Sequence, residues 1–270
     1  MPVSGLSSMR GNPAGDERGD APAVMLKATS LTKRFGGFTA LDRFDLSVRQ
    51  GAIHALIGPN GAGKTTAFNL LTKFHEPSEG HIVFDGEDVT ALRPAAVSRK
   101  GLVRSFQISA TFLQLTVLEN VRIALQRRAG LADQFWRSDR VLTTLDARAR
   151  ALLADVNLDG FAGRLAVDLS YGRRRALELA TTIALDPKML LLDEPMAGLG
   201  HEDIQAIVAL VRKVAVGRTV LMVEHNLSVV SDLCDTITVL QHGKVIAEGG
   251  YAAIAGDARV REAYLGTEAA

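Results

Sequence analysis

Between Gly58 and Thr66 the chain gathers three glycines, a lysine and two threonines in one short stretch, a combination suited to holding an anion. Glycines let the backbone bend until successive N–H groups converge. A helix opening at the same place adds partial positive charge at its first turn. The spacing from Gly58 to Gly63, followed at once by Lys64 and Thr65, is the pattern that cradles nucleotide phosphates. In that pattern the backbone of Asn60, Gly61, Ala62 and Gly63 wraps the phosphates, and Lys64 reaches the β- and γ-phosphates. The Thr65 hydroxyl can ligate Mg²⁺, while Thr66 can donate toward the α-phosphate. A chance glycine turn is the plain alternative, and the strand before it and helix after it argue against that.

The second chemical feature is an acid pair. Met189 to Leu192 is apolar and strand-length, and it ends in Asp193 and Glu194. A carboxylate at the carboxyl end of a parallel strand faces the crevice where nucleotides sit. Asp193 is then placed to hold Mg²⁺ through its water shell, and Glu194 to polarise an attacking water. A strand ending in a charged turn would look the same in isolation; the phosphate loop decides between the two.

These groups need a scaffold, and the rest of the chain supplies one. Val24–Lys33, Phe44–Val48, Ala52–Ile57, Met189–Leu192, Val220–Val223 and Ile237–Leu240 read as strands. Helices are expected to begin near Gly63, Val117, Ser170 and Glu202. Alternation of buried strands with helices argues an α/β fold with a mostly parallel sheet. Residues 108–180 differ in texture, being helix-favouring and arginine-rich, and read as a helical insert. The stretch from Gly130 to Asp139 breaks that pattern and reads as a surface loop.

Lys and Arg (31) nearly balance Asp and Glu (30), so no sequence-wide basic field draws in nucleic acid. The single cysteine, Cys234, excludes an internal disulfide framework, and its apolar surroundings suggest a buried, inert thiol. No apolar run reaches the roughly 18 residues of a membrane-spanning helix. Met1 to Pro22 is rich in Gly, Pro, Ser and Asp and reads as a disordered tail without a signal-peptide core.

From Met25 to Gly266 the sequence resembles the ABC transporter ATPases. The discriminating piece is Leu169-Ser170-Tyr171-Gly172, lying just before a helix and upstream of Asp193. Physically, Ser170 is a good helix N-cap and Gly172 lets a phosphate approach the backbone. Arg173, Arg174 and Arg175 oppose the dipole of that helix, which suggests an anion nearby. The resemblance implies a P-loop ATPase with a RecA-like core, an antiparallel β subdomain and an inserted helical subdomain. The division it implies is a tail at 1–23 and a cassette at 24–268. Within the cassette, 24–107 and 183–268 form the core and 108–182 the helical lobe.

The resemblance also assigns roles. Ser170 and Gly172 would grip the γ-phosphate of ATP bound to the opposite subunit. Phe35 would stack on adenine, Gln107 would touch Mg²⁺ and the attacking water, and His225 would contact the γ-phosphate. Two positions depart from the family pattern: Arg173 stands where Gln is common, and Gly200 where Asp or Asn usually links the two ATP sites.

Tyr171, the stretch Gly101 to Gln107, the stretch Thr116 to Val121 and the ending Tyr264-Leu265-Gly266 are similar to one branch, the ATPases of branched-chain amino-acid importers. That likeness implies two membrane permease subunits, a second ATPase subunit as heterodimer or homodimer partner, and, indirectly, a periplasmic binding protein. It places the chain at the cytoplasmic face of the inner membrane. ATPases of urea, amide or aromatic-acid importers and of lipopolysaccharide-type exporters share much of the pattern. So do non-transport ABC ATPases and non-hydrolysing regulatory modules. A GTPase is disfavoured because no Asn-Lys-x-Asp guanine-reading motif occurs.

Overall fold

A computed structural model describes residues 23–105, 111–130 and 143–265. The expected tail, Gln107 and the loop expected after Gly130 lie outside the described residues.

Three strands carry the architecture because they are buried on both faces: β3 (Ile53–Ile57), β7 (Met189–Asp193) and β8 (Thr219–Val223). Strands covered on both sides read as continuous apolar runs, which is why sequence alone locates them. They join β6 (Leu102–Ser105), β9 (Thr236–Gln241) and β10 (Lys244–Gly249) in a six-stranded sheet of order β10-β9-β3-β8-β7-β6. Every pairing is parallel except the β9–β10 edge. Leu56 and Asp193 both register with Val223, so β3, β8 and β7 end level at one sheet edge.

A second, antiparallel sheet has the order β2-β1-β4-β5. It comprises β1 (Val24–Phe35), β2 (Phe38–Arg49), β4 (Glu79–Phe84) and β5 (Glu87–Asp88). β1 runs two residues past the expected Val24–Lys33, whereas β2 begins six residues before the expected Phe44–Val48. The turn from β9 to β10 ties this sheet to the phosphate loop. Gly243 donates its N–H to Ala62 O (2.9 Å), and its own carbonyl accepts from Asp42 N (2.9 Å).

Helices α1 (Lys64–Leu71) and α2 (Pro94–Lys100) lie between the sheets in sequence. They are followed by α3 (Val117–Arg128), α4 (Asp146–Asp155), α5 (Tyr171–Ala184) and α6 (His201–Ala215). Last come α7 (Leu227–Leu233), α8 (Tyr251–Gly256) and α9 (Ala258–Leu265). No helix among the described residues is long and apolar enough to cross a membrane.

The period-2 alternation of the central strands feeds two cores. Ala55 and Ile57 face a cluster with Val121, Leu152, Leu177 and Val211 from α3 to α6. Leu56 and Leu191 face the opposite cluster, with Phe68 of α1 and Phe44 and Phe84 of the antiparallel sheet. Each of those fully buried phenylalanines contributes about 1.5–3 kcal/mol from surface removed from water. Helix α3 starts sharply at a capping box. Glu119 N–H donates to the Thr116 hydroxyl, and Thr116 N–H donates back to Glu119.

Candidate nucleotide site

The loop between β3 and α1 has the backbone that its glycines allow. Gly58, Gly61 and Gly63 all have positive φ, and two of them are hemmed in by backbone. A Cβ on Gly58 would meet Leu240 O at 2.1 Å, and one on Gly63 would meet Ala40 O at 2.8 Å. Helix α1 then begins at Lys64 with no side-chain cap and no acid in its first turn. An uncapped helix start over a glycine cradle fits a bound phosphate.

Lys64 is buried, and its ammonium donates to Gly58 O (2.6 Å) and Pro59 O (3.0 Å), folding back over the loop. Burial lowers its pKa, while the charges of Glu194 and Asp193 work in the opposite sense. The phosphate loop and the acid pair are therefore electrostatic neighbours. Asp193 is buried at the end of β7, and the next residue, Glu194, adopts φ +46. A left-handed glutamate is uncommon and costs energy, and such strain gathers at functional sites. Glu194 N–H donates to Val223 O (3.0 Å), which ties the acid pair to the end of β8.

The structure places Asn60, Gly61, Ala62, Gly63, Lys64, Thr65, Thr66, Asp193, Glu194 and His225 along one sheet edge. Phe35 ends β1 and is half exposed. The Lys33 ammonium sits 5.0 Å from its ring centroid, and the His75 ring meets its edge at 5.4 Å. Ser170 and Gly172 stand elsewhere, at the start of α5. There the Tyr171 hydroxyl donates to Ala197 O (3.2 Å), and the Asp203 carboxylate packs against Gly172.

Two expectations about that turn need correction. Ser170 occupies the N-cap position of α5, yet its side chain makes no capping hydrogen bond. The three arginines that follow do not require an outside anion, because each has a partner within the chain. Arg173 stacks on the Phe161 ring at 4.3 Å, and Arg174 donates to Leu169 O (3.0 Å) and Val167 O (3.2 Å). Arg175 is buried; it donates to Glu178 (2.9 Å) and to the Tyr171 hydroxyl (2.9 Å). Gly200 proves to be the N-cap of α6. Its missing side chain leaves that cap empty, with Glu202 and Asp203 supplying negative charge in the first turn.

Three residues matter here to which sequence reasoning gave no role at the site. Glu224, almost wholly buried, accepts backbone hydrogen bonds from Met196 (3.1 Å), His225 (3.0 Å) and Asn226 (3.2 Å). It thereby fixes the loop carrying His225 to the loop that follows Glu194. Tyr264 on α9 has its phenol pKa raised by burial and held partly back by the Gly58 backbone beside it. Arg104 on β6 forms an ion pair with Asp193 and donates to Asn69 Oδ1 (2.6 Å) on α1. An acid followed by His225 marks Glu224 only faintly, and although Arg104 and Tyr264 lie in stretches that mark the importer branch, nothing local reveals what they touch.

Among the described residues no group of three or more His, Cys, Asp or Glu side chains converges on a metal position. One buried carboxylate and one hydroxyl beside a phosphate cradle instead match Mg²⁺, which keeps most of its water and leans on substrate phosphates.

The family model described as ABC transporter matches residues 41–197, spanning the phosphate loop, the signature turn at Leu169-Ser170-Tyr171-Gly172 and the acid pair. The chain belongs to the ABC transporter family. A second model, branched-chain amino acid ATP-binding cassette transporter, matches residues 244–270 of this ABC ATPase. A relative from Pseudomonas aeruginosa, named high-affinity branched-chain amino acid transport ATP-binding protein BraF, is 39% identical over 252 residues. The match covers 90% of this chain and 98% of the relative. The solved ADP conformation of MJ1267, an ATP-binding cassette of an ABC transporter, has 31% identity and a TM-score of 0.79. It covers 90% of this cassette and 99% of that chain. The ATP-binding cassette MJ0796, solved as a dimer in a post-hydrolysis state with ADP and Pi, has 26% identity and a TM-score of 0.70. It covers 84% of this chain and 99% of its own.

Proposed function

We propose that this ABC ATPase hydrolyses ATP for the import of branched-chain or related amino acids, working with two permease subunits and a second ATPase subunit at the cytoplasmic face of the membrane. The observation that carries the reading is the meeting of an uncapped α1 and buried Lys64 with the acid pair at one sheet edge. The names of the relatives, together with the branched-chain family model at 244–270, support the substrate class. The dimer with ADP and Pi supports a two-subunit cycle.

In this reading Asn60 to Thr66 and Lys64 hold the triphosphate, and Phe35 stacks on the base. Thr65, Asp193 and Gln107 would hold Mg²⁺, which when bound neutralises charge on the β- and γ-phosphates. Glu194 orients and polarises water for in-line attack. His225, steadied by Glu224, faces the γ-phosphate. Lys64 stabilises charge on the transferring group. Ser170 and Gly172 serve the partner's ATP, so closure depends on the γ-phosphate being present. The division into a core at 24–107 and 183–268 and a helical lobe at 108–182 belongs to the same reading. A groove of about 650 Å³ lies where the two regions meet, with Phe74 and Phe112 on its rim; it is the proposed seat for a permease helix.

The test is Glu194→Gln. It is expected to bind Mg-ATP, lose turnover and accumulate an ATP-bound dimer with its partner subunit in size-exclusion chromatography. Wild-type turnover in that variant would overturn the assignment.

A further inference from the structure

Asp193 does not stand alone at the end of β7. Its Oδ2 is held by an Arg104 end nitrogen, and both side chains are almost out of solvent, at 10% and 4% exposure. The other end nitrogen of Arg104 donates to Asn69 Oδ1 at 2.6 Å. Asn69 lies on α1, the helix whose first turn forms the phosphate cradle. The guanidinium also lies 5.7 Å from the ring centroid of buried Phe68 on that helix. Arg104 itself sits on β6, in parallel register with Leu191 of β7. One side chain thus joins three elements: the edge strand, the acid-bearing strand and the cradle helix.

A planar fork can do this where an ammonium cannot. Arginine presents two end nitrogens in fixed geometry, so it can bond a carboxylate and an amide on different elements at once. Lysine offers a single point charge. Holding Oδ2 fixes the rotation of the carboxylate and leaves Oδ1 for a metal's water shell.

From this geometry we infer that Arg104 is the positioning residue of the metal-site carboxylate, setting Asp193 relative to the cradle through Asn69. The inference rests on the proposed metal role of Asp193 and adds the group that holds that carboxylate in place. Arg104 bonds the side chains of Asp193 and Asn69, and it acts through Asp193. Groups that orient metal ligands in this way commonly change metal affinity by about 10-fold to 100-fold when removed.

The experiment uses the full-length chain and a fluorescent ATP analogue. Binding is followed as Mg²⁺ is titrated, and again in EDTA. Arg104→Met is expected to raise the Mg²⁺ concentration at half-maximal binding about 10-fold, while affinity in EDTA stays within about twofold of wild type. Arg104→Lys, which restores the charge and not the fork, is expected to fall between the two. A merely structural loss would weaken binding equally with and without metal.

Asp193→Asn separates the two levels of the argument. If it shifts the Mg²⁺ requirement and Arg104→Met does not, the positioning role is overturned and the metal site stands. If neither shifts, the metal assignment of Asp193 fails, and the inference fails with it. Should Arg104→Met not fold, as judged by circular dichroism, Arg104→Lys decides: a shift of at least about twofold supports the inference, and none overturns it.

Discussion

His54 offers the sharpest quantitative prediction, because its cost of protonation can be worked from where it lies. It is the second residue of β3, the strand that delivers Gly58 to the phosphate loop, and it is 1% exposed. Its Nε2 is 2.8 Å from the Thr238 hydroxyl, which donates to Glu248 (2.6 Å). Burial, assisted by the charge of Arg49, lowers its pKa from 6.5 to about 4. The folded state therefore refuses a proton that the unfolded chain accepts near pH 6.5. Stability from this group is full above pH 6.5 and is lost as pH falls toward 4, because the unfolded state then binds more protons. A shift of that size is worth about 3 kcal/mol when fully expressed, and about 2 kcal/mol of it is already gone at pH 5. Urea unfolding at pH 7.5 and pH 5 measures the difference directly. Carboxylates titrate in both proteins, so wild type is compared with His54→Gln, which can keep the bond to Thr238. Wild type is expected to lose about 2 kcal/mol more than the variant over this interval. Equal losses in the two proteins would refute the argument that a neutral, desolvated imidazole is built into β3.

Three further outcomes follow from the same geometry. Gly63→Ala puts a Cβ 2.8 Å from Ala40 O at φ +105, so ATP binding is expected to fall sharply in a fluorescence titration while Gly61→Ala, whose Cβ meets only open space, is milder. Glu224→Ala strips three backbone amides of their acceptor; a stability loss of about 3 kcal/mol or more in urea unfolding, with turnover reduced, is expected. The Cys234 thiol is pushed up to about 12 by burial, so at pH 8 iodoacetamide is expected to label it only after unfolding, as read by mass spectrometry.

What could be read from the chain divides by how local the encoding is. The phosphate loop was legible because its conformation depends on glycines within the loop itself. β3, β7 and β8 were legible because burial on both faces leaves continuous apolar runs. β4, β5, β6 and β10 escaped notice: Glu79–Phe84 and Lys244–Gly249 mix polar and exposed residues, Glu87–Asp88 is two exposed acids, and Leu102–Ser105 is four residues at a sheet edge. Some left-handed backbone was also silent: Ser30 and Arg43 adopt it within β1 and β2, where the ladder shifts register, and Lys73 in the turn after α1, none with a glycine beside it.

The same distinction explains the site. Lys64, Asp193 and Glu194 declare themselves by motif, whereas Arg104 meets Asp193 across 89 positions and Glu224 meets Met196 across 28. Such pairings depend on sheet order, which no short window contains. The arginines after Gly172 show the converse error. Helix-dipole reasoning treats the first turn of α5 as though it faced solvent, and there three cations would call for an anion. Packed in the fold, one lies on an aromatic face, one caps carbonyls of the preceding turn and one pairs with Glu178. Arg175 also holds the Tyr171 hydroxyl, which reaches Ala197 in the loop after the acid pair. Signature turn and acid loop are thus joined inside one subunit by tyrosine and arginine, next to the position where Gly200 gives up the side chain that usually reaches across to the other.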